Sequence, residues 1–510
     1  MAAGEEGALA EPAGAAVLPP DPAPLARQTL AYGLTGLIAP LAGMITLPIF
    51  ARVFTRAEYG IIELGMTTTA VALALTDAGM ASAALRSFYD FGADEEGERR
   101  TVLTTAFTTT SGLVLIVACL MILMRSELSR WIFGLPGEGA LMAIIAFSLL
   151  ALNTWRFASE VMRIRLMAFS YLATALIAAI VTTTISVTGV LALDWRVKGI
   201  FVAAVIGNFG AAAFALSSIR HSFARRWSSS ELRRMLAYGL PLVPAALSAW
   251  ALALVDRIIL SRIGSLQQVG EYAIANRLAS LLTLGMTAFL FALTPFLLAT
   301  YAEDPAKEKA ARARTLTYLT FVLSLGGLVL TLFAKELIDI LAPRFGEAYK
   351  AVGPLTLGLL AYGVASLLAT GLMLARTTGR GAILAVLAAL VNIGLNFALI
   401  PSAGIVGSAV ATAVGYGFLA IGYYVASQRI YHTPYELEKV FKTVGLACAF
   451  GVIGIAPLEP EAVAILVKLG ALAAFCACML LTGAVTGAEI SELRKFMFRM
   501  IPPRSGRARA

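Results

Sequence analysis

Runs of about twenty apolar residues, separated by short charged or Gly/Pro-rich breaks, recur from one end of this chain to the other. A run of that length is what an α-helix needs to cross the hydrocarbon of a bilayer. In lipid every backbone N–H and C=O must be bonded within the protein, so repeated runs of this kind point to a bundle of transmembrane helices. Candidate spans fall near 25–51, 59–84, 101–124, 139–162, 168–193 and 199–219, then 235–260, 268–300, 311–335, 350–374, 380–400 and 403–426, with two more near 440–457 and 462–486. Composition agrees. Of the 510 residues, 59% are hydrophobic and 14% charged, against about 45–50% and about 25% in soluble domains. The expectation is an all-α polytopic membrane protein of about 14 transmembrane helices.

The spans form two related sets. Residues 30–34 read Leu-Ala-Tyr-Gly-Leu and residues 236–240 repeat the same five letters. Arg52 follows Leu30 by 22 positions and Arg257 follows Leu236 by 21, and the next helix opens at Glu58-Tyr59 in one copy and Glu271-Tyr272 in the other. Two repeated multi-helix halves on a polytopic pattern are the sign of an alternating-access transporter, with its substrate site between the repeats. Six spans separate the repeated segments, and an even number restores the original orientation, so the halves are expected to superpose with parallel topology.

This divides the chain into a disordered cytosolic tail (1–24), an N-lobe of six helices (25–220), a basic cytosolic linker (221–234), a C-lobe of six helices (235–428), a helix pair (429–487) and a basic cytosolic tail (488–510). The first tail carries Glu5, Glu6, Glu11 and Asp21 with no Lys or Arg, the reverse of a signal peptide's basic start. The linker, with Arg225, Arg226, Trp227, Arg233 and Arg234, reads as an amphipathic segment on the inner leaflet or as an ordinary solvated loop. With both ends inside, 26 of the 40 Lys and Arg residues lie in cytosolic segments or at the helix ends that border them, so an N-in, C-in orientation is expected. The net charge of +9 is then read as membrane orientation, with no nucleic-acid partner.

Little points to catalysis. There is no P-loop sequence, and no cofactor is implied. His221 and His432 are the only histidines, and Cys119, Cys448, Cys476 and Cys478 all lie within apolar spans, which suggests neither a metal cluster nor a disulfide framework. No enzymatic activity is expected.

The informative residues are charges placed where charge is costly. An ionised group at the bilayer centre costs at least about 2.5–3.5 kcal/mol, so it faces a partner or a wet cavity. Asn153, Arg156, Glu160 and Arg163 lie on one helical face, either lining a cavity or forming an Arg156–Glu160 ion pair with Arg163 reaching to the interface. Asp256 and Arg257 end the seventh span, and Asn276 and Arg277 lie in the eighth. Because neighbours on a helix point about 100° apart, Asp256 and Arg257 are expected to find partners elsewhere. Arg257 and Arg277, with Arg52 at the repeat-related position, are candidates for gripping an anion, since guanidinium forks match phosphate oxygens. The alternative is that they anchor helix ends to headgroups. Asp77 and Asp256 are candidate coupling or gating groups, and Asp77 also reads as a helix-end group. Asn392 and Asn396 read as interhelical hydrogen-bonding residues or cavity lining, and Pro241 and Pro244 as a hinge or a plain kink.

Several segments resemble a known family. Residues 236–248, Leu-Ala-Tyr-Gly-Leu-Pro-Leu-Val-Pro-Ala-Ala-Leu-Ser, with Asp256-Arg257-Ile-Ile-Leu and Val269-Gly-Glu-Tyr, look like the central signature of polysaccharide-biosynthesis flippases of the MOP exporter superfamily. Residues 392–401 with 404–412 match further, and 52–60 and 79–89 more weakly. Where that family commonly has Gly-Leu-Tyr, this chain has Gly270-Glu271-Tyr272.

The resemblance implies a Wzx-type flippase. Such a protein moves an undecaprenyl-diphosphate-linked oligosaccharide across the bacterial inner membrane for O-antigen, capsule or exopolysaccharide synthesis. It has a basic cavity between two lobes, and its partners would be membrane lipids, a polysaccharide polymerase and glycosyltransferases. The alternatives are a multidrug and toxin extruder of the same superfamily, which should show several buried carboxylates, and a non-transporting scaffold of a glycan assembly complex. Of mid-span acids the sequence offers Asp77, Glu160 and Asp256, which favours the flippase.

Overall fold

The computed structural model describes residues 22–135, 137–287, 289, 290, 300, 304–374, 378–456 and 460–484. Nearly all of them are helical, and no strand occurs among them. The expected terminal tails lie almost wholly outside the described residues, as does much of the end of the 268–300 run.

The first six expected spans fall on α1 (Pro22–Val53), α2 with a short α3 (Arg56–Asp77 and Met80–Tyr89), α4 (Glu96–Leu123), α6 (Gly139–Ile164), α7 (Ala168–Leu191) and α8 (Arg196–Ser218), and α5 (Arg125–Phe133) is a short helix between α4 and α6. The seventh is α9 (Ser229–Gly239) joined to α10 (Val243–Ile263) through a 3-10 turn at Leu240–Leu242, where Pro241 and Pro244 remove donors from the helical ladder. The eighth begins as α11 (Leu266–Ala279). Then come α12 (Pro305–Leu332), a short α13 (Ala334–Leu341), α14 (Tyr349–Leu374), α15 (Thr378–Ile430), α16 (Leu437–Gly451) and α17 (Glu461–Leu481).

Eleven of these segments, among the described residues, are long and apolar enough to cross a membrane. The sequence leads one to expect about fourteen, and the difference has three sources. The 53-residue stretch α15 is two helices, one for each of two expected spans, that meet at a sharp kink at Gly404, with φ 52° and ψ −127°, and it stands as one segment among the eleven. α16 has only 15 residues, and the 268–300 run is described in part.

Local signals account for the helix starts. Thr55 caps α2 through a reciprocal box in which its hydroxyl accepts from the Glu58 N–H and the Glu58 carboxylate accepts from the Thr55 N–H. The Ser265 hydroxyl caps α11 by accepting from the Gln268 N–H, and the Asp304 carboxylate caps α12 by accepting from the N–H groups of Ala306 and Lys307. Between α2 and α3 the chain turns on two left-handed residues, Ala78 and Gly79.

Helices α6, α7 and α8 pack with α1, α2 and α4, and α14 and α15 pack with α10, α11 and α12. Between these groups the main crossing is α2 on α11, and glycine makes it possible. A Cβ on Gly60 would lie 2.1 Å from the Leu266 carbonyl oxygen, and one on Gly270 would lie 2.0 Å from that of Arg56. The two backbones therefore touch directly, as small residues allow in membranes where no hydrophobic force draws helices together. At the other end of α2, Gly79 meets the backbone of Gly239 in the same way. The main hydrophobic cluster runs through the first crossing, from Leu64 and Ile145 to Tyr272, Ile274 and Val352.

The crossing yields a test. Gly270→Val must push the helices apart and is expected to cost about 1–3 kcal/mol, seen as a lower melting temperature of the purified protein. Gly112→Ala, whose added methyl meets nothing within 4 Å, should melt like the unaltered protein.

Candidate functional site

Beside the α2–α11 crossing is a cavity of about 720 Å³. Its walls come from α1, α2, α6, α7 and α8, with Arg277 of α11 and Ser280 just past the end of that helix. Hydroxyl and aromatic groups dominate the polar lining, including Thr35, Thr182, Ser186, Tyr59, Tyr171 and Trp155. The ionised groups in the lining are Arg156, Glu160 and Arg277.

Glu160 is engaged by Arg163, one helical turn further on. It is thus Arg163, not Arg156, that pairs with this carboxylate. Arg156 is exposed to the cavity and has no ion-pair partner among the described residues, though Asp77 lies within electrostatic reach. Arg277 also lacks an ion-pair partner among the described residues, and its guanidinium lies over the Tyr59 ring, 5.2 Å from the centroid. Two arginines without ion-pair partners thus face one space from different helices. Such an arrangement can take an anion, because guanidinium forks supply donors and charge together.

The other sequence candidates lie elsewhere. Asn153 is buried and Asn276 half-buried, and neither lines the cavity. The Asp77 carboxylate lies near the backbone N–H groups of Gly79 and Ala81, at the start of α3. Arg52 is exposed at the end of α1 and donates to the Ile340 carbonyl oxygen at 2.9 Å. It belongs to a clasp that joins the α1–α2 turn to the end of α13 and the segment after it. There Arg56 bonds the Arg344 carbonyl and pairs with Glu271 at 2.8 Å, Arg344 reaches the Val53 carbonyl at 3.4 Å, and Tyr59 packs edge-on to Phe345.

Arg257 and Asp256 are buried away from the cavity, and they correct the sequence reading in two respects. They do satisfy each other: the Arg257 side chain donates to Asp256 at 2.7 Å, because that carboxylate folds back far enough to accept the Arg257 backbone N–H as well. Arg257 also has a second acid partner, Glu63 of α2, at 2.9 Å. Glu63 was missed as a mid-span acid although it interrupts the apolar run Ile61-Ile62-Glu63-Leu64. From Asp256 the network continues to the Tyr272 hydroxyl at 2.5 Å and to Thr412 at 3.4 Å. Ser408 then donates to Asn396, whose amide donates to the Asn392 carbonyl, both asparagines being fully buried. The network ties α2, α10, α11 and both arms of α15 together. A second ion pair missed in the sequence, Glu308–Arg312, is wholly buried near the start of α12. Among the described residues no group of three metal-ligating side chains occurs.

The family model described as "Polysaccharide biosynthesis protein" matches residues 25–300. The chain belongs to that family. No curated protein sequence matches it. Among solved structures it is similar to the lipid II flippase MurJ in an inward closed conformation (TM-score 0.69, 14% identity, 88% of this chain and 98% of that one). It is also similar to an inward-facing multidrug resistance MATE transporter of the MOP superfamily (TM-score 0.64, 15% identity, 78% and 98%). A third similarity is to a point mutant of the Vibrio cholerae MATE transporter VcmN (TM-score 0.57, 15% identity, 80% and 97%). This family member therefore has the MurJ/MATE fold and is a multi-pass membrane protein.

The Glu63–Arg257 pair yields a second test. Removing one partner of a buried ion pair costs about 3–5 kcal/mol because it strands the other charge. Arg257→Ala should therefore lower the membrane level of the protein severalfold on a quantitative immunoblot, with partial recovery in Arg257→Lys. Normal accumulation of Arg257→Ala would show that the network does not hold the helices together.

Proposed function

We propose that the protein flips an oligosaccharide carried on undecaprenyl diphosphate from the cytoplasmic to the outer leaflet of a bacterial inner membrane, by alternating access of its two repeat-related halves. One observation carries this reading: Arg156 and Arg277 face a common cavity within a membrane-embedded bundle, and neither has an ion-pair partner among the described residues. A guanidinium held within the membrane without an anion is costly, and a lipid diphosphate supplies that anion during transport. Family membership and the fold shared with a lipid II flippase support the same reading.

In this reading the protein is N-in and C-in, the Arg52–Arg56–Arg344 clasp closes the periplasmic end, and the substrate enters from the Arg156 end. Hydroxyls and aromatic rings along α1 and α7 would meet the sugars, while the lipid tail stays in the bilayer. The protein moves its substrate without chemical change, and a polymerase and glycosyltransferases act before and after it. A cation extruder on the same fold is a poorer match, because the one lining carboxylate, Glu160, is already paired with Arg163.

The test is export in cells lacking the native gene, measured alongside membrane protein level. A hydrogen bond to a charged group contributes about 1.5–3 kcal/mol. Arg156→Ala and Arg277→Ala should thus each lower glycan export about tenfold to a hundredfold at normal protein level, and the Lys variants should recover part of it because the planar fork is lost. Full export by both Ala variants would remove the diphosphate-binding role.

A further inference from the structure

The segment joining α8 to α9 is held firmly against α4. The Thr104 hydroxyl accepts from the Ala224 N–H at 2.9 Å and is 3.2 Å from the Ala224 carbonyl, the Thr105 hydroxyl accepts from the Ser228 N–H at 3.1 Å, and Phe223 packs on Phe107 with ring centroids 5.5 Å apart. With the backbone pinned over one turn of α4, Arg225, Arg226 and Trp227 project outward and are exposed. Arg233, on α9, is exposed as well. None of these three arginines has an ion-pair partner among the described residues, whereas the adjacent Arg234 pairs with Asp90 at 2.9 Å and packs over the Phe91 ring.

Two helices fix the depth of this patch independently. Along α4, charged side chains stop at Arg100 and do not return until Arg125. That interval matches the roughly 20 residues needed to cross the hydrocarbon, and Thr104 and Thr105 lie at its near edge. Along α9 and α10, the charge-free interval runs from Met235 to Val255, and Arg233 stands just before it. Both measures put the linker at headgroup level, where Trp is enriched and where basic residues attract anionic lipid.

We infer that Arg225, Arg226, Trp227 and Arg233 form a docking surface for the headgroups of anionic phospholipids in the adjacent leaflet. The guanidinium groups take the phosphates, the indole lies between headgroup and acyl chain, and the hydroxyls of Thr104 and Thr105 keep the segment at the right depth. Because this segment connects the two halves of the chain, the bound lipid would anchor their joint to the membrane surface.

The full-length protein, reconstituted in nanodiscs containing phosphatidylglycerol and phosphatidylcholine and then released for native mass spectrometry, tests this. The unaltered protein should retain phosphatidylglycerol in preference to phosphatidylcholine. The Arg225→Gln/Arg226→Gln/Arg233→Gln variant should lose that preference by tenfold or more, and Arg125→Gln/Lys335→Gln, with both changes beyond the far ends of the spans, should keep it. If the triple variant does not accumulate, Arg226→Gln and Arg233→Gln are compared singly, each expected to lose severalfold. Retention of phosphatidylglycerol by the variants at the level of the unaltered protein would overturn the proposal. So would its displacement from the unaltered protein by millimolar inorganic phosphate, which would mark a site for a free anion. Neither readout depends on what the cavity carries.

Discussion

The contact on which the rest of the arrangement depends is the direct backbone crossing of α2 on α11. Helices in lipid gain nothing from hiding apolar surface from each other, so close association requires backbone approach, side-chain interlock or hydrogen bonds. Gly60 and Gly270 supply the approach, Tyr59 and Tyr272 are buried in the cluster around it, and Glu63 with Arg257 supplies the bonded charge. Moving α11 away by the thickness of one methyl group would stretch all three. The cavity wall contributed by Arg277 depends on the same helix, so the packing of the crossing and the placement of a candidate ligand-binding group are one problem.

Two arginines of the second half, Arg257 and Arg277, lie 20 residues apart and differ in electrostatic company. Arg257 has two carboxylates and a hydrogen-bonded chain behind it, so its charge is balanced in the resting protein. Arg277 has an aromatic face and the cavity. A group whose charge is balanced holds structure together, while one that lacks a counter-charge is available to a ligand.

What could be read from residues alone follows the same division. Helix positions were legible because the bilayer imposes length and apolarity on each span, and the spans expected at 380–400 and 403–426 fall on the two arms of α15, on either side of the kink at Gly404. The wet face of α6 was legible from spacing, since Arg156 and Glu160 are one turn apart and both reach the cavity. The partners of Arg257 were not. Helical geometry argued against an Asp256–Arg257 bond because it tracks where Cβ atoms point and not how far a carboxylate can fold back, and Glu63 meets Arg257 only after two distant helices have crossed. Arg52 shows the converse limit: the repeat put it in register with Arg257, yet the fold spends its donors on the Ile340 carbonyl.

The separation of Glu63 and Arg257 also matters while the chain is being made. They are 194 positions apart, and at about 5–20 residues per second the ribosome needs roughly 10–40 s to bring the arginine out after the glutamate. For that interval α2 is in the translocon or the lipid, and its carboxylate lacks the guanidinium that it meets in the folded protein until α10 arrives. Assembly of the two halves is then ordered by synthesis itself, with the first half held in an incomplete state that the arrival of the second resolves.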